Sequence, residues 1–405
     1  MRIAMVSEHA SPLAALGGVD AGGQNVYVAR LADLLADRGH QVTVYTRRDD
    51  PALPERVPLP SGAVVEHVTA GPARVLAKDD LFPHMPEFGR HLAGTWRRTR
   101  PDVVHAHFWM SGMAALAGAE GLGVPVVQTY HALGTVKRRH QGAADTSPPE
   151  RLGIEQRIGQ SCAAILATCS DEVRELARMG LRTARCKIVP CGVDTARFTA
   201  RGAAARTPAR TERHRLLTVG RLVPRKGIDV ALTALTRVPD TELLVAGGPP
   251  ADRLAADPEA QRLLALAHHL GVAERFHLLG SVPHLRMPAL IRSADVVLCT
   301  PAYEPFGIVP VEAMACGTPV VATDVGGHRD TVVHHRTGLL VPPGAPVQLA
   351  SAVRGLLADP ERLRAYGHAG RLRALSQYRW ERVADGVEAV YARVTATDPI
   401  PSGAR

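Results

Sequence analysis

Two distant stretches of the chain carry the same order of elements, and that order constrains the fold more than any single residue. Ile3 to Ser7 is a short apolar run, followed by the glycine-rich loop Gly17-Gly18-Val19-Asp20-Ala21-Gly22-Gly23-Gln24-Asn25. An amphipathic helix is expected from Val26 to Arg38, closed by Gly39, and then a strand from Gln41 to Thr46. Further on, Arg215 to Val219 predicts a strand, Gly220 to Gly227 a loop, Ile228 to Arg237 a helix, and Glu242 to Ala246 a strand. Strand, glycine-bearing loop, helix and strand open a doubly wound α/β domain, whose ligands lie at the carboxyl ends of the strands. A chain of 405 residues is long for one such domain and comfortable for two. We expect a first domain over 1–198, an Ala/Arg/Thr-rich linker over 199–214 and a second domain over 215–376. Residues 377–405 form a last helix and tail. Its apolar residues Trp380, Val383, Val387, Val390 and Val394 need a surface to cover, and the helix is expected to turn back towards the first domain.

The most specified stretch runs from Tyr303 to Val321. It reads as a loop opening into a helix, then a turn at Gly317-Thr318-Pro319 and a buried strand. A helix start leaves backbone N–H groups unpaired and carries partial positive charge, which suits an anion such as a phosphate. Yet Glu304 stands in the loop, and Glu312 follows eight residues later in the helix. A carboxylate beside a phosphate site is useful if it grips sugar hydroxyls. The bland alternative is an ordinary capping acid and a solvent-facing Glu; the whole string, with Pro305, Phe306, Gly307 and Ile308, favours a sugar-nucleotide site.

Other residues sit at expected strand ends. Arg221 and Lys226, in a G-R-x4-K-G frame, can neutralise a diphosphate both when bound and as it leaves. The paired glycines Gly22-Gly23 let backbone N–H groups approach a ligand, although the loop is neither G-x-G-x-x-G nor a P-loop. His131 follows the strand Val124 to Thr129 and is placed for a ligand crevice, with a structural histidine as the alternative. His105 and His107 share a strand face, but no third ligand accompanies them, so no metal site is expected. Residues 136–149 read as a mobile basic loop, in which Lys137-Arg138-Arg139 either grip an anion or are only surface.

Composition narrows the rest. Hydrophobic residues at 46% and charged ones at 21% describe a globular protein with sizeable cores. The formal charge of +9 fits an anionic partner, but aromatics are only 4% and no DNA- or RNA-binding motif is present, so no nucleic-acid partner is expected. The six cysteines form no C-x-x-C and fit a reducing cytosol, so a cytoplasmic location is expected. No apolar run reaches the roughly 20 residues of a membrane span, so any membrane contact is expected to be peripheral. A monomer and a homodimer both stay open.

Taken together, Gly22-Gly23-Gln24-Asn25, His131, the Arg221/Lys226 pair and Glu304-Pro305-Phe306-Gly307-Ile308 with Glu312 resemble the motifs of retaining glycosyltransferases of family 4. The likeness runs nearly end to end, and the two acids match the family's E-x7-E. Within the family the chain is most similar to the branch holding sucrose-phosphate synthases and the mycothiol-pathway inositol-phosphate N-acetylglucosaminyltransferase. The resemblance implies the α/β GT-B fold, two Rossmann-like doubly wound domains facing across a cleft. It implies a nucleotide sugar as donor, UDP-linked by family habit, and transfer of a hexosyl or N-acetylhexosaminyl group without metal or cofactor. By the same resemblance Arg221 and Lys226 hold the diphosphate, Glu312 the ribose and Glu304 a donor-sugar hydroxyl. Backbone groups of Phe306, Gly307 and Ile308 contact sugar and phosphate, while His131, Gly22 and Gly23 approach the donor from the first domain.

On the acceptor side, Asn25, Lys78 and Arg151 match the phosphate-gripping positions of the inositol-phosphate enzymes, and His131 lies beside them. Phe108 replaces a Tyr and Ala132 a Thr, and each change removes a hydroxyl. The acceptor therefore stays open among a cyclitol, a sugar and a sugar phosphate. Competing readings are a GT-B epimerase or hydrolase acting on sugar nucleotides, and a basic surface-binding protein without catalysis.

Overall fold

The computed structural model describes residues 1–13 and 23–396. The chain divides into two compact units, Met1–Cys191 with Trp380–Arg405, and Gly192–Arg379.

The first unit is built on eight strands: β1 (Arg2–Val6), β2 (Gln41–Arg47), β3 (Arg56–Pro58), β4 (Val64–Val68), β5 (Val103–His107), β6 (Val126–Thr129), β7 (Ala164–Ala167) and β8 (Cys186–Ile188). Their spatial order is β3-β4-β2-β1-β5-β6-β7-β8, parallel throughout except for the edge pair β3–β4. The chain starts at β1, runs outward through β2, then returns to the other side of β1 at β5, with Ile3 opposite Val103. The reversal between β1 and β5 leaves a crevice at their carboxyl ends, where Ser7–His9 and Phe108 emerge. Strands buried on both faces need helices on both, and the apolar runs Ile3–Val6 and Val103–Val104 supply the core. Helix Trp380–Ala396 covers one face, burying Trp380, Val383, Val387, Val390 and Tyr391 with helix Gly23–Asp37 and β1. Tyr391 ends in a buried hydrogen bond, its hydroxyl 2.7 Å from His105 Nδ1.

The second unit has six strands, β9 (His214–Val219), β10 (Thr241–Ala246), β11 (Phe276–Gly280), β12 (Val296–Cys299), β13 (Val320–Thr323) and β14 (Gly338–Val341). They are all parallel, in the order β11-β10-β9-β12-β13-β14. Here the reversal falls between β9 and β12, with Leu217 opposite Val297.

Two expectations need correction. Residues 199–214 are not a free linker. The first unit ends at Cys191, and the segment beyond it is stitched to the second unit. Val193 N donates to Tyr378 O, Arg292 reaches the carbonyls of Thr199 and Ala203, and Arg210 donates to Ser293 O. Arginine guanidinium groups satisfying main-chain carbonyls turn an Ala/Arg/Thr-rich segment into fixed structure. Residues 136–149 are not a plain basic loop either, because helix Gly134–Gln141 takes in 136–141 and a short 3-10 turn, Gly142–Ala144, follows it. Lys137 pairs with Asp145 at 3.0 Å, and Arg139 binds Glu175 through both terminal nitrogens at 2.9 and 2.7 Å.

The stitched segment converges on a buried ion pair. Arg215 Nε lies 2.6 Å from Glu242 Oε1, both residues are buried, and Arg215 Nη2 also donates to Pro208 O. Removing one partner of such a pair strands the other charge in the interior, at a cost of about 3–5 kcal/mol. Arg215→Met is therefore expected to destabilise the second unit by about that amount. Calorimetry is the appropriate measurement, since Trp96, Trp109 and Trp380 all lie in the first unit. An unchanged second-unit transition would show that Glu242 is satisfied without Arg215.

Candidate functional site

In the second unit the two loops leaving β9 and β12 are laced together. Thr300 Oγ1 donates to Gly227 O at 2.8 Å, and Ala302 N donates to Arg225 O at 2.9 Å. Gly227 has φ +65°, and a Cβ there would stand 2.0 Å from Thr300 O, so no other residue permits this approach. The lacing brings Lys226 Nζ to 2.5 Å from Glu304 Oε2. Glu304 is half-buried. Burial acts to raise its pKa, but Lys226 first, then His328 and Arg225, outweigh it and hold the carboxyl below its ordinary value.

Directly after Glu304 the chain turns into helix Ile308–Ala315. Gly307, at φ +89°, sits against the His328 ring, 2.6 Å from Cδ2 to the position of a Cβ. Pro310 has no N–H, so the free donors of the first helical turn are those of Ile308 and Val309. These residues, with Lys226, Glu304, Thr300, Cys299, Thr218 and His328, line a cleft of about 60 Å³. The Thr218 hydroxyl is buried there without a partner. Phe306 is buried, its ring 6.1 Å from Tyr378. Glu312, further along the helix, is buried, with Oε1 3.2 Å from His284 Nε2. Burial raises its pKa and His284 partly offsets this.

The structure thus gathers Lys226, Glu304, Gly307 and Ile308 around one cleft. Arg221 is exposed at the start of its loop, while Arg225, which sequence reasoning passed over, is half-buried and within electrostatic reach of Glu304. A third basic residue in the same loop was the available signal.

In the first unit, the residues gather at the carboxyl ends of β1, β5 and β6. Lys78 Nζ lies 3.7 Å from the centre of the Phe108 ring, a cation–π contact, and the His9 ring meets Phe108 edge-on at 5.1 Å. His9 Nδ1 is 2.7 Å from Glu8 Oε1, and the Ser111 hydroxyl donates to the other carboxylate oxygen. Burial works against ionisation of Glu8, yet His9, Ser111 and Lys78 hold its pKa down. Glu8 and His9 went unremarked in the sequence, although a polar pair just past the first strand of an α/β domain is a usable signal.

His131, at φ +60°, places Nε2 3.1 Å from His107 Nδ1. Burial, helped by His105, His9 and Lys78, pushes its pKa down to about 3, so the ring is neutral. His105 is likewise pushed down to about 3 by burial. His107 Nε2 is buried with no partner. Asn25 is buried, its side-chain amide donating to Ser11 O. Gly23 opens helix Gly23–Asp37, whereas Gly22 lies outside the described residues. Arg151 is buried and largely committed. Its Nε binds Glu155 at 2.7 Å, Nη1 donates to Ser147 and Nη2 to Ala132 O. A larger cleft of about 760 Å³, lined by Val124, Pro125, Cys162 and Val394 among others, lies at the opposite, amino ends of β6 and β7, away from these residues. Among the described residues no group of three or more His, Cys, Asp or Glu is placed to hold a metal ion, and no helix is long and apolar enough to cross a membrane.

Two largely parallel doubly wound sheets, each with polar and cationic residues at its reversal, place a ligand crevice at the carboxyl ends of the strands in both units. Residues 21–197 match the model described as Glycosyltransferase Family 4, and residues 203–373 the model described as Glycosyl transferases group 1. D-inositol 3-phosphate glycosyltransferase 2 of Catenulispora acidiphila is 36% identical over 97% of this chain and 95% of that one. The D-inositol 3-phosphate glycosyltransferase of Xylanimonas cellulosilytica is 37% identical over 98% of both. A sucrose-phosphate synthase from Thermosynechococcus elongatus superposes with a TM-score of 0.88 at 31% identity, covering 98% of this chain and 99% of that one. Anabaena HepE in complex with UDP shares the fold alone, at 19% identity and TM-score 0.76 over 97% and 100% of the two chains. The chain belongs to glycosyltransferase family 4 and has the GT-B fold.

The commitments of Arg151 make its contribution separable. Arg151→Ala leaves Glu155 buried without its cation and is expected to destabilise the unliganded first unit by about 3–5 kcal/mol, followed by tryptophan fluorescence in denaturant. A residue serving only a ligand would shift that transition by no more than about 0.5 kcal/mol.

Proposed function

We propose that the chain transfers a hexosyl or N-acetylhexosaminyl group from a UDP-sugar to a small polyhydroxy acceptor, with retention and without metal or cofactor. The observation that carries this reading is the 2.5 Å pair of Lys226 and Glu304 at the mouth of helix Ile308–Ala315. A cation and free N–H groups suit a diphosphate, and a carboxylate beside them suits a hydroxyl, so this chemistry supports a sugar diphosphate over an anion alone. In this reading Lys226 and Arg221, with Arg225, neutralise the diphosphate. Glu304 accepts a hydrogen bond from a donor-sugar hydroxyl, and Glu312 takes the ribose. Backbone groups of Phe306, Gly307 and Ile308 contact sugar and phosphate, and those around Gly22 and Gly23 approach the donor. The uracil base follows the family habit and the UDP bound by HepE.

Lys78, Phe108, Asn25 and His131 serve the acceptor, with Arg151 holding the loop that carries His131. Inositol 3-phosphate, the acceptor named for the curated relatives, is one candidate. Phe108 and Ala132 supply no hydroxyl to an anion, which keeps unphosphorylated cyclitols and sugars alongside it. During transfer the anomeric carbon–oxygen bond to the diphosphate breaks and the acceptor oxygen bonds to that carbon on the same face. The acceptor proton passes to the departing phosphate oxygen. Lys226 stabilises the charge that develops there.

The test is turnover of UDP-glucose and UDP-N-acetylglucosamine with myo-inositol, inositol 3-phosphate and fructose 6-phosphate, without added metal. Lys226→Ala is expected to lower kcat/KM by about 10²–10³-fold. Near-normal turnover by that variant would remove Lys226 from the leaving-group role, and binding of GDP or ADP in place of UDP would overturn the donor assignment.

A further inference from the structure

Glu312 does not stand alone in the second unit. Its Oε1 lies 3.2 Å from His284 Nε2, and the other ring nitrogen, Nδ1, lies 3.0 Å from Arg197 Nη1. A guanidinium can only donate. His284 Nδ1 therefore accepts, the ring proton resides on Nε2, and His284 donates to Glu312. The relay is anchored behind. Arg197 N donates to Asp194 Oδ1 at 3.0 Å, and the Phe198 ring packs on the imidazole at 5.1 Å. Arg197, from the segment after Cys191, thus fixes the tautomer of a histidine from a separate loop, and that histidine occupies one oxygen of a buried acid.

We infer that His284, held in one tautomer by Arg197, is a positioning residue for Glu312. It engages one carboxylate oxygen so that the other is presented to the vicinal hydroxyls of the nucleotide ribose. The inference rests on the proposed donor reading and adds a residue that the E-x7-E pattern does not contain. A carboxylate pinned at one oxygen has a fixed plane, and hydrogen bonds from a diol depend on that plane. Burial of Glu312 raises its pKa, and the His284 donor offsets part of that rise.

A merely structural role for His284 would weaken every nucleotide alike. A positioning role acts on the ribose hydroxyls alone. The experiment is calorimetric titration of UDP and of 2′,3′-dideoxy-UDP into the unaltered chain, His284→Ala, His284→Gln and Arg197→Met. The unaltered chain is expected to prefer UDP by about 10–100-fold, the value of hydrogen bonds to a charged acceptor. In His284→Ala that ratio is expected to fall to about threefold or less, as expected once a charge-assisted bond loses its alignment. His284→Gln, whose amide can donate, is expected to retain more of the preference, and Arg197→Met to fall between. If His284→Ala does not fold, the Gln and Met variants carry the same comparison. A ratio unchanged across the variants, with UDP still bound, would overturn the role of His284 and leave the donor reading standing. Equal binding of the two nucleotides by the unaltered chain would overturn the ribose role of Glu312 and this inference with it. Absence of UDP binding in the unaltered chain would overturn the donor reading itself.

Discussion

The charge on Glu304 depends on a backbone approach that occurs before any ligand is considered. Burial alone would move this carboxyl towards its neutral form, and Lys226 prevents it from 2.5 Å away. Lys226 can be there only because the loop after β9 lies against the loop after β12, with the Gly227 backbone where a side chain would collide with Thr300 O. That contact results in turn from the strand order, since β9 and β12 are neighbours although β10 and β11 intervene in the chain. Topology sets the loops side by side, a glycine lets them touch, and the touch creates the ion pair.

The first unit applies the same reversal to different chemistry. Between β1 and β5 the groups that emerge are an aromatic ring with Lys78 over its face and His9 at its edge, and a row of histidines behind. Burial keeps His105 and His131 neutral, so their contribution is hydrogen bonding and shape and not charge. Some of the basic residues in this unit are paired within it, Arg139 on Glu175, Arg151 on Glu155 and Lys137 on Asp145.

The parts of this arrangement that are local in the chain were legible in the sequence. Alternating apolar strands and glycine-closed helices give both sheets, because periodicity and turn chemistry act over a few residues. Gly307 beside Glu304, and Lys226 before Gly227, are neighbours in sequence and stay neighbours in space. The features that escaped depend on long-range contacts. His284 is unremarkable in its own loop and gains meaning only when Arg197 and Glu312 meet it from opposite sides. Residues 199–214 look solvated by composition, and only the reach of Arg292, Arg210 and Arg215 to distant carbonyls shows otherwise. The basic stretch at 136–149 reads as a loop because its partners, Glu175 among them, lie outside the window that a periodicity argument inspects.

Glu304 and Glu312 are eight residues apart, yet their surroundings move them in opposite directions, and that contrast bears on where the acceptor proton goes. Environments that split two carboxyls in this way often mark an acid and a base. Here the split has another meaning. Glu304, the member beside the cations, is held ionised and has no proton to give, and its role as a base is opposed by Lys226, which already occupies one oxygen. Glu312, the member pushed upward, is buried and has its own donor in His284. His131 is neutral and already engaged with His107. Each of the three already has a partner in the fold, which in the proposed reaction favours a proton acceptor other than these residues. Among the groups of the proposed reaction, the departing phosphate gains charge as the glycosidic bond lengthens, and it is the natural destination for the proton. In the proposed reaction, Lys226 stabilises that phosphate, and Glu304 and Glu312 are assigned to hydroxyls of the sugar and the ribose.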